Sequence, residues 1–395
     1  MTGVPTRPAR PRPAAPRPGL DDVLAATARG ARRTDELAEF PVDALAALRA
    51  SGLLGLVVPA EHGGGGGGFG DLVDVTLRLS REDMSVGMVF AMHCQQAMAV
   101  VRYARPRLRA ELLPALGRGE LYLASVTTER GKGGQLLVSE SAVTAGDGLL
   151  RIDRDAPIVT GGTHADGFLI TTLAPDAASP TQVSLVYAAR DQLAVEVTGD
   201  WQPLGMRATH SVPMRLVGAV PEHQVLGAAG DFRSIVTALF GPAAHLGWSA
   251  AWLGTAAGAL SRVLRLMREP AGRRQFDLTS DLLLSRLARI RARLDAVHAL
   301  LRHTVTAVEA AVDMSAPPVR LLVNTLKVQA AEQCFEAVHE LVELVGLRHG
   351  YLRGSPLFLE RAFRDLRSAS LNYANDRLNL VNGSLTLLDQ EVHLG

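Results

Sequence analysis

Apolar residues change their spacing twice along this chain, and the changes divide it into three parts. Residues 21–120 show the three-to-four spacing of helices. Pro41 opens one helix, at Val42-Asp43-Ala44-Leu45, and Asp21 is placed to cap an earlier one. Residues 72–83 and 85–103 follow as helices, with another over 107–116. The 85–103 segment is apolar on every side, as a buried helix is. Residues 121–228 turn to short β-type runs, at 136–143, 149–152, 167–172, 182–187, 193–197 and 214–217. Gly146-Asp147-Gly148 supplies a hairpin signal between two of them. From Phe232 the helical period returns, in stretches at 232–267, 280–312, 318–345 and 357–388, long enough for a four-helix bundle. The predicted architecture is α+β and multidomain: a Pro/Arg-rich tail (1–19), an N-terminal helical domain (20–120), a middle β-barrel or sandwich domain (121–228) and a C-terminal bundle (229–395).

The stretch Leu121-Tyr122-Leu123-Ala124-Ser125-Val126-Thr127-Thr128-Glu129-Arg130-Gly131-Lys132-Gly133-Gly134 begins as an apolar strand and ends in a polar, glycine-rich loop. Such a loop offers N–H groups and small hydroxyls to a ligand, and glycine allows close backbone approach. A second element, Ala156-Pro157-Ile158-Val159-Thr160-Gly161-Gly162, reads the same way. Six glycines at 63–68 lack the Gly-Lys-Ser/Thr ending of a phosphate loop, so they read as a plain connection.

These motifs resemble the acyl-CoA dehydrogenase superfamily of flavoproteins, from about Asp21 onward. The first stretch is similar to the family's Thr-Glu-Pro-x-Ala-Gly-Ser-Asp segment, the second to its Lys-x-Trp/Phe-Ile-Thr-Asn-Gly segment. Trp201-Gln202-Pro203-Leu204-Gly205-Met206-Arg207-Ala208-Thr209 resembles its Leu-Gly-x-Arg-x-Thr entry. The resemblance implies FAD, with FMN as the alternative flavin. It places Ser125, Thr127, Thr128 and Thr160 at the ring edge, Gly133 and Gly134 near phosphate, and Ile158 where the family has an aromatic residue. It implies a homodimer or homotetramer through the bundle, in which a neighbouring subunit completes the site. Arg273 and Phe276 resemble the family's Arg-x-x-Phe-Gly, with Asp277 in place of glycine. Glu343 and Gly346 resemble a blurred Gln-x-x-Gly-Gly, where Glu343 loses the amide donor and Arg348 is placed to compensate.

The family's dehydrogenases remove an α-proton with a carboxylate while the flavin takes a hydride. In this chain the position nine residues after Arg364 of Arg364-Asp365 is Tyr373, not Glu. A phenol ionises near pH ~10 in model peptides, so it is a poor base near neutrality. The family's alternative place for the Glu, on the first bundle helix, holds Thr237, Ala238 and Leu239, with Asp231 the nearest acid. Three readings follow. The first is an FAD-dependent α,β-dehydrogenase of an acyl thioester, carried on CoA or a carrier protein, with its base relocated to a group such as His93, Glu129 or Asp376. The second is a flavin monooxygenase of the same fold, supplied with reduced flavin by a reductase, in which His93 and Asn372 serve as hydrogen-bonding groups. The third is a non-catalytic binding subunit. Dehydrogenation takes first place as the commonest activity of the family. Tyr373, His93 and Asn372 are the candidate catalytic residues. Electron-transfer flavoprotein is the partner implied for the dehydrogenase.

Composition adds exclusions. The 395 residues carry 41 basic and 40 acidic groups, a formal charge of +1, which gives no general attraction to nucleic acid. Two cysteines imply a reducing, cytoplasmic setting without a disulfide framework or metal site. The tail lacks an apolar signal core, and no apolar run reads as long enough to cross a membrane.

Overall fold

The computed structural model describes residues 17–131, 135–389 and 392. Most of the expected tail lies outside these residues, as do Gly133 and Gly134.

The N-terminal part comprises α1 (Leu20–Leu37), α2 (Val42–Ala50), α3 (Phe69–Glu82), α4 (Met84–Tyr103) and α5 (Pro106–Gly117). Asp21 does not cap α1. Gly19 takes that place in a left-handed conformation, and Asp21 and Asp22 sit in the first turn, where the helix dipole favours carboxylates. The glycine run spends its donors internally. The N–H groups of Gly65, Gly66 and Gly67 donate to the carbonyls of Gly55, Val58 and Leu56. A Cβ on Gly64 would lie 2.2 Å from the Val58 carbonyl oxygen, so this loop must be bare to pack.

Helix α4 corrects one expectation. Its 20 residues are long and apolar enough to cross a membrane by length and composition. It is instead mostly buried in the protein, packed against α3, β1 and the bundle. Cys94 within it and Cys334 in the bundle are both buried free thiols.

The middle part is two four-stranded sheets. Strands β1 (Leu123–Val126), β2 (Thr144–Gly146), β3 (Leu149–Ala156), β4 (Gly167–Leu173), β5 (Val183–Ala189), β6 (Leu193–Val197), β7 (Met214–Pro221) and β8 (Val225–Leu226) pair as β1-β4-β5-β8 and β2-β3-β7-β6. Asp147 and Gly148, at φ 56° and 73°, form the two-residue hairpin turn between β2 and β3. The run at 136–143 is loop rather than strand. The Ile158 segment is also loop: β3 stops at Ala156, and Pro157 has no N–H to extend the ladder. Along β3, Leu150, Ile152, Arg154 and Ala156 point inward, so one arginine occupies the apolar register.

The C-terminal part opens with α6 (Phe232–Ile235), a π-helical turn at Val236–Phe240, and α7 (Gly241–Arg268). It continues with α8 (Pro270–Gln275), α9 (Asp281–Ala310) and α10 (Pro317–Gly346). The expected fourth helix, 357–388, is divided into α11 (Leu359–Leu366) and α12 (Asn375–Thr386). Buried Lys327 causes the break: its ammonium bonds the carbonyls of Ala369 (3.2 Å) and Tyr373 (3.0 Å) and the Asn375 Oδ1 (2.8 Å). Tyr373 itself turns left-handed, at φ 51°.

Arg364 and Asp365 clamp all three parts together. Arg364 forks onto Asp35 of α1 at 2.6 and 3.0 Å and onto Glu360 at 2.8 Å. Asp365 accepts the Met206 N–H at 2.6 Å. Burial pushes the Asp365 carboxyl up to about 7.

Candidate active site

A cavity of about 950 Å³ lies where α4, the two loops after β1 and β3, the π turn, α10 and the α11–α12 connection meet. That is room for a tricyclic ring system and a small substrate together. The cavity has two kinds of wall.

The β-domain wall gathers most of the residues expected at a flavin ring. Ser125, Thr127, Thr128, Ile158 and Thr160 all line the cavity. Thr128 ties the two loops: its Oγ1 donates to the Ile158 carbonyl at 2.9 Å and accepts the Ile158 N–H at 3.3 Å. Thr160 Oγ1 lies 2.9 Å from Ser211 Oγ. Ile158 is 44% exposed and presents an apolar face where an aromatic residue would stack. Trp201 joins this wall, and its buried indole N–H has no acceptor within the described protein.

Glu129 also lines the cavity, but it is not a free base. Its carboxylate forms a buried ion pair with Arg154 and accepts from Ser139 Oγ (2.6 Å) and the Glu140 N–H (2.9 Å). Arg154 further donates to Ser141 Oγ and to the Thr128 carbonyl, which fixes the loop above it.

The helical wall holds Met88, Met92, His245, Trp248, Asn372 and Tyr373. The expected positions Asn372 and Tyr373 thus reach the cavity, on the segment anchored by Lys327. His245 was not expected. It is 7% exposed, its ring lies 6.1 Å from that of Tyr373 and 5.9 Å from that of Trp248 and bonds the Val323 backbone, and its Nδ1 has no hydrogen-bond partner among the described residues. Burial, reinforced by the charge of Lys327, lowers it to about 3, so the imidazole is neutral. The π turn just before it shifts the register of the helix start, and such bulges recur at functional sites.

His93 is a core histidine rather than a site residue. Its Nδ1 accepts the Leu123 N–H at 3.0 Å, and Nε2–H donates to the Leu54 carbonyl at 2.8 Å. Both ring nitrogens are committed, and burial lowers it to about 4. Its neighbour Gln95 faces the cavity in its place, with its amide donating to the Phe240 carbonyl at 2.7 Å. Asp376 is exposed and off the cavity lining.

The remaining expected residues lie elsewhere on the chain. Arg273, Phe276, Glu343, Gly346 and Arg348 are absent from the cavity lining. Arg273 bonds the Arg268 carbonyl, and Glu343 lies 3.9 Å from His339. A contact of 3.2 Å between Gln275 and His349 brings these two motifs side by side at one end of the bundle. Within one chain they do not complete the site.

The residues on the β-domain wall fit a flavin ring: small hydroxyls, an orphan indole donor and an apolar platform around a large cavity. Comparison with known proteins agrees in fold. The models of the acyl-CoA dehydrogenase N-terminal and C-terminal domains match residues 20–120 and 244–372. A dibenzothiophene monooxygenase of Mycolicibacterium goodii is 29% identical over 232 residues, which is 57% of this chain and 55% of that protein. The chain thus spans about half the length of the curated relative it matches there. An amino sugar nitrososynthase of Streptomyces peucetius is 27% identical over 381 residues, covering 88% of this chain and 86% of that one. The FMN-bound dibenzothiophene monooxygenase of Paenibacillus sp. A11-2 superposes with a TM-score of 0.83 at 22% identity, covering 94% of this chain and 98% of that structure. The chain belongs to the acyl-CoA dehydrogenase superfamily.

Proposed function

We propose that this chain is a flavin-dependent monooxygenase, which uses reduced flavin and molecular oxygen to transfer one oxygen atom to a substrate and releases the other as water. The observation that carries this reading is the state of the cavity's acids. Among the described lining residues the one carboxylate is Glu129, and Arg154 holds it. Abstraction of an α-proton needs an available base within reach of the substrate, and dehydrogenation of a thioester would lack one here. Tyr373, Asn372 and neutral His245 instead put hydrogen-bonding groups without a carboxylate beside Met88, Met92 and Trp248. Such a wall can orient a substrate and keep bulk water out while oxygen reacts.

Reduced flavin, when bound, supplies the two electrons that activate oxygen. FMN suits the chain better than FAD. The positions resembling the family's adenosine-binding motifs carry Asp277 and Glu343, acids that are unhelpful beside phosphate. The monooxygenase and nitrososynthase relatives support the same choice of reaction over dehydrogenation.

The test is the visible spectrum of purified protein titrated with FMN and with FAD. Bound flavin that stays oxidised under anaerobic butyryl-CoA, yet yields a hydroxylated product from indole with a reductase, NADH and oxygen, is expected. Anaerobic bleaching by the thioester would return the chain to dehydrogenation. Absence of flavin binding at any concentration would leave the binding-subunit reading.

A further inference from the structure

The cavity's helical rim carries three arginines, two of them exposed, that no carboxylate of the described protein pairs with. Arg320 stands in the first turn of α10, Arg377 in the first turn of α12 and Arg233 in α6, and all three line the cavity. None has a hydrogen bond or ion pair from its guanidinium group among the described residues. The other charged groups of the lining are differently placed. Arg364 is forked onto Asp35, Arg367 bonds Ser370, and Glu129 belongs to Arg154.

Arg320 and Arg377 both line the cavity from neighbouring helices. Helices α10 and α12 pack antiparallel there, tied by Lys327 to Asn375 and by Asn324 to Asn382 at 2.9 Å. Asn324, one turn after Arg320, faces the cavity as well. The chain as a whole is nearly neutral at +1, so this is local charge and not part of a general basic surface. Being open to solvent, these guanidiniums are accessible to an anion that enters the cavity. A planar guanidinium fork matches phosphate and carboxylate oxygens in geometry, and an amide adds a further donor.

We propose that the substrate of this cavity is an amphiphilic anion, with an apolar body against Met88, Met92 and Trp248 and a phosphate or carboxylate held by Arg320 and Arg377. Arg233 adds field at the opening. The proposal rests on the reading of the cavity as a joint flavin and substrate chamber. The same anion chemistry could be met by the flavin's own phosphate, so the experiment separates the two sources.

Indole, indole-3-acetate and indoxyl phosphate serve as probes of equal ring shape and different charge. Their affinities are measured by calorimetry for the FMN-loaded protein and for the Arg320→Gln/Arg377→Gln variant. FMN affinity is measured separately by fluorescence quenching. The anionic probes are expected to bind about tenfold tighter than indole. That preference should shrink with added NaCl and nearly vanish in the variant, with FMN affinity unchanged. Equal binding of neutral and anionic probes to the wild type would overturn the proposal. So would a variant that loses FMN and keeps its preference for anions, which would assign the arginines to the flavin phosphate. If the wild type binds no FMN, the monooxygenase reading fails, and the probe series on flavin-free protein still decides the anion preference. Salt dependence in the wild type gives an answer even if the variant does not fold.

Discussion

Arg154 and Lys327 each anchor an irregular wall of the same cavity, and each is fully buried. They differ in what they bond. Arg154 faces a carboxylate, Glu129, and also takes the Thr128 carbonyl and Ser141 Oγ. Lys327 takes two carbonyls and the Asn375 amide oxygen, and lies 5.5 Å from the centre of the Trp252 ring. One wall is therefore held by a direct ion pair, the other by a cation bonded only to dipoles, with the Glu332 carboxylate one step away behind Asn375. Burial leaves the first charged and lowers the second to about 8. The wall resembling a flavin platform has a permanent anchor, whereas the wall that carries Asn372 and Tyr373 has a titratable one.

The largest expected effect comes from breaking the permanent anchor. Arg154→Met takes the guanidinium from the buried Glu129 carboxylate, which keeps Ser139 Oγ and the Glu140 N–H, and should cost about 3 kcal/mol. Urea unfolding followed by circular dichroism measures it. The double variant Arg154→Met/Glu129→Gln should recover most of the loss, because it removes the buried charge together with the guanidinium that faced it. A single variant as stable as the wild type would show that water reaches Glu129.

Lys327→Met should cost less, about 1–3 kcal/mol, because it leaves neutral acceptors rather than a charge. Its signature is local: hydrogen exchange should quicken over 367–374 while the β domain keeps its protection. The two anchors also separate by pH. The unfolded chain holds the Lys327 proton up to its ordinary 10.5, while the folded site releases it near 8. The unfolded state thus binds more protons between these values, and stability should rise with pH across that window. The stability of wild type minus that of Lys327→Met, measured at pH 7.5 and 9.5, should increase. A decrease would mean that the site prefers the charged ammonium.

The same comparison shows what the sequence could disclose. The order of helices, sheets and bundle was legible because burial imposes the 3.6 and 2 periods along whole segments. The loops with Ser125 and Ile158 were legible through the resemblance, as was the position of Tyr373. The anchors were not, since each depends on contacts between distant segments. Both left a trace nonetheless. Arg154 interrupts the inward register Leu150-Ile152-Arg154-Ala156, and Lys327 sits among Val323, Leu326, Ala330 and Ala331. A charge on an apolar stripe needs a partner, and that need is the trace each anchor leaves in the sequence. The break at 367–374 follows from Lys327 and has no local signal of its own. The histidines show the opposite limit. His93 and His245 both lie in nearly all-apolar helices, and nothing in either helix says which one is saturated.

That pair provides the smallest expected change in stability and the sharpest contrast. His93→Phe strands the Leu54 carbonyl and the Leu123 N–H, a loss of about 1–3 kcal/mol in all. His245→Phe gives up only the ring's bond to the Val323 backbone, whose carbonyl keeps its helical partner inside α10, and its neighbours Trp248 and Tyr373 accept an aromatic ring. The expected change is within about 0.5 kcal/mol. Its effect should appear in ligand binding instead, since His245 adds hydrogen-bonding capacity to the helical wall beside Lys327. Thermal unfolding together with affinity for indole separates the two roles. A variant with unchanged melting and altered affinity places His245 in the substrate chamber. Unfolding as severe as that of His93→Phe would make His245 a second core histidine, and would leave Tyr373 and Asn372 as the polar groups of that wall.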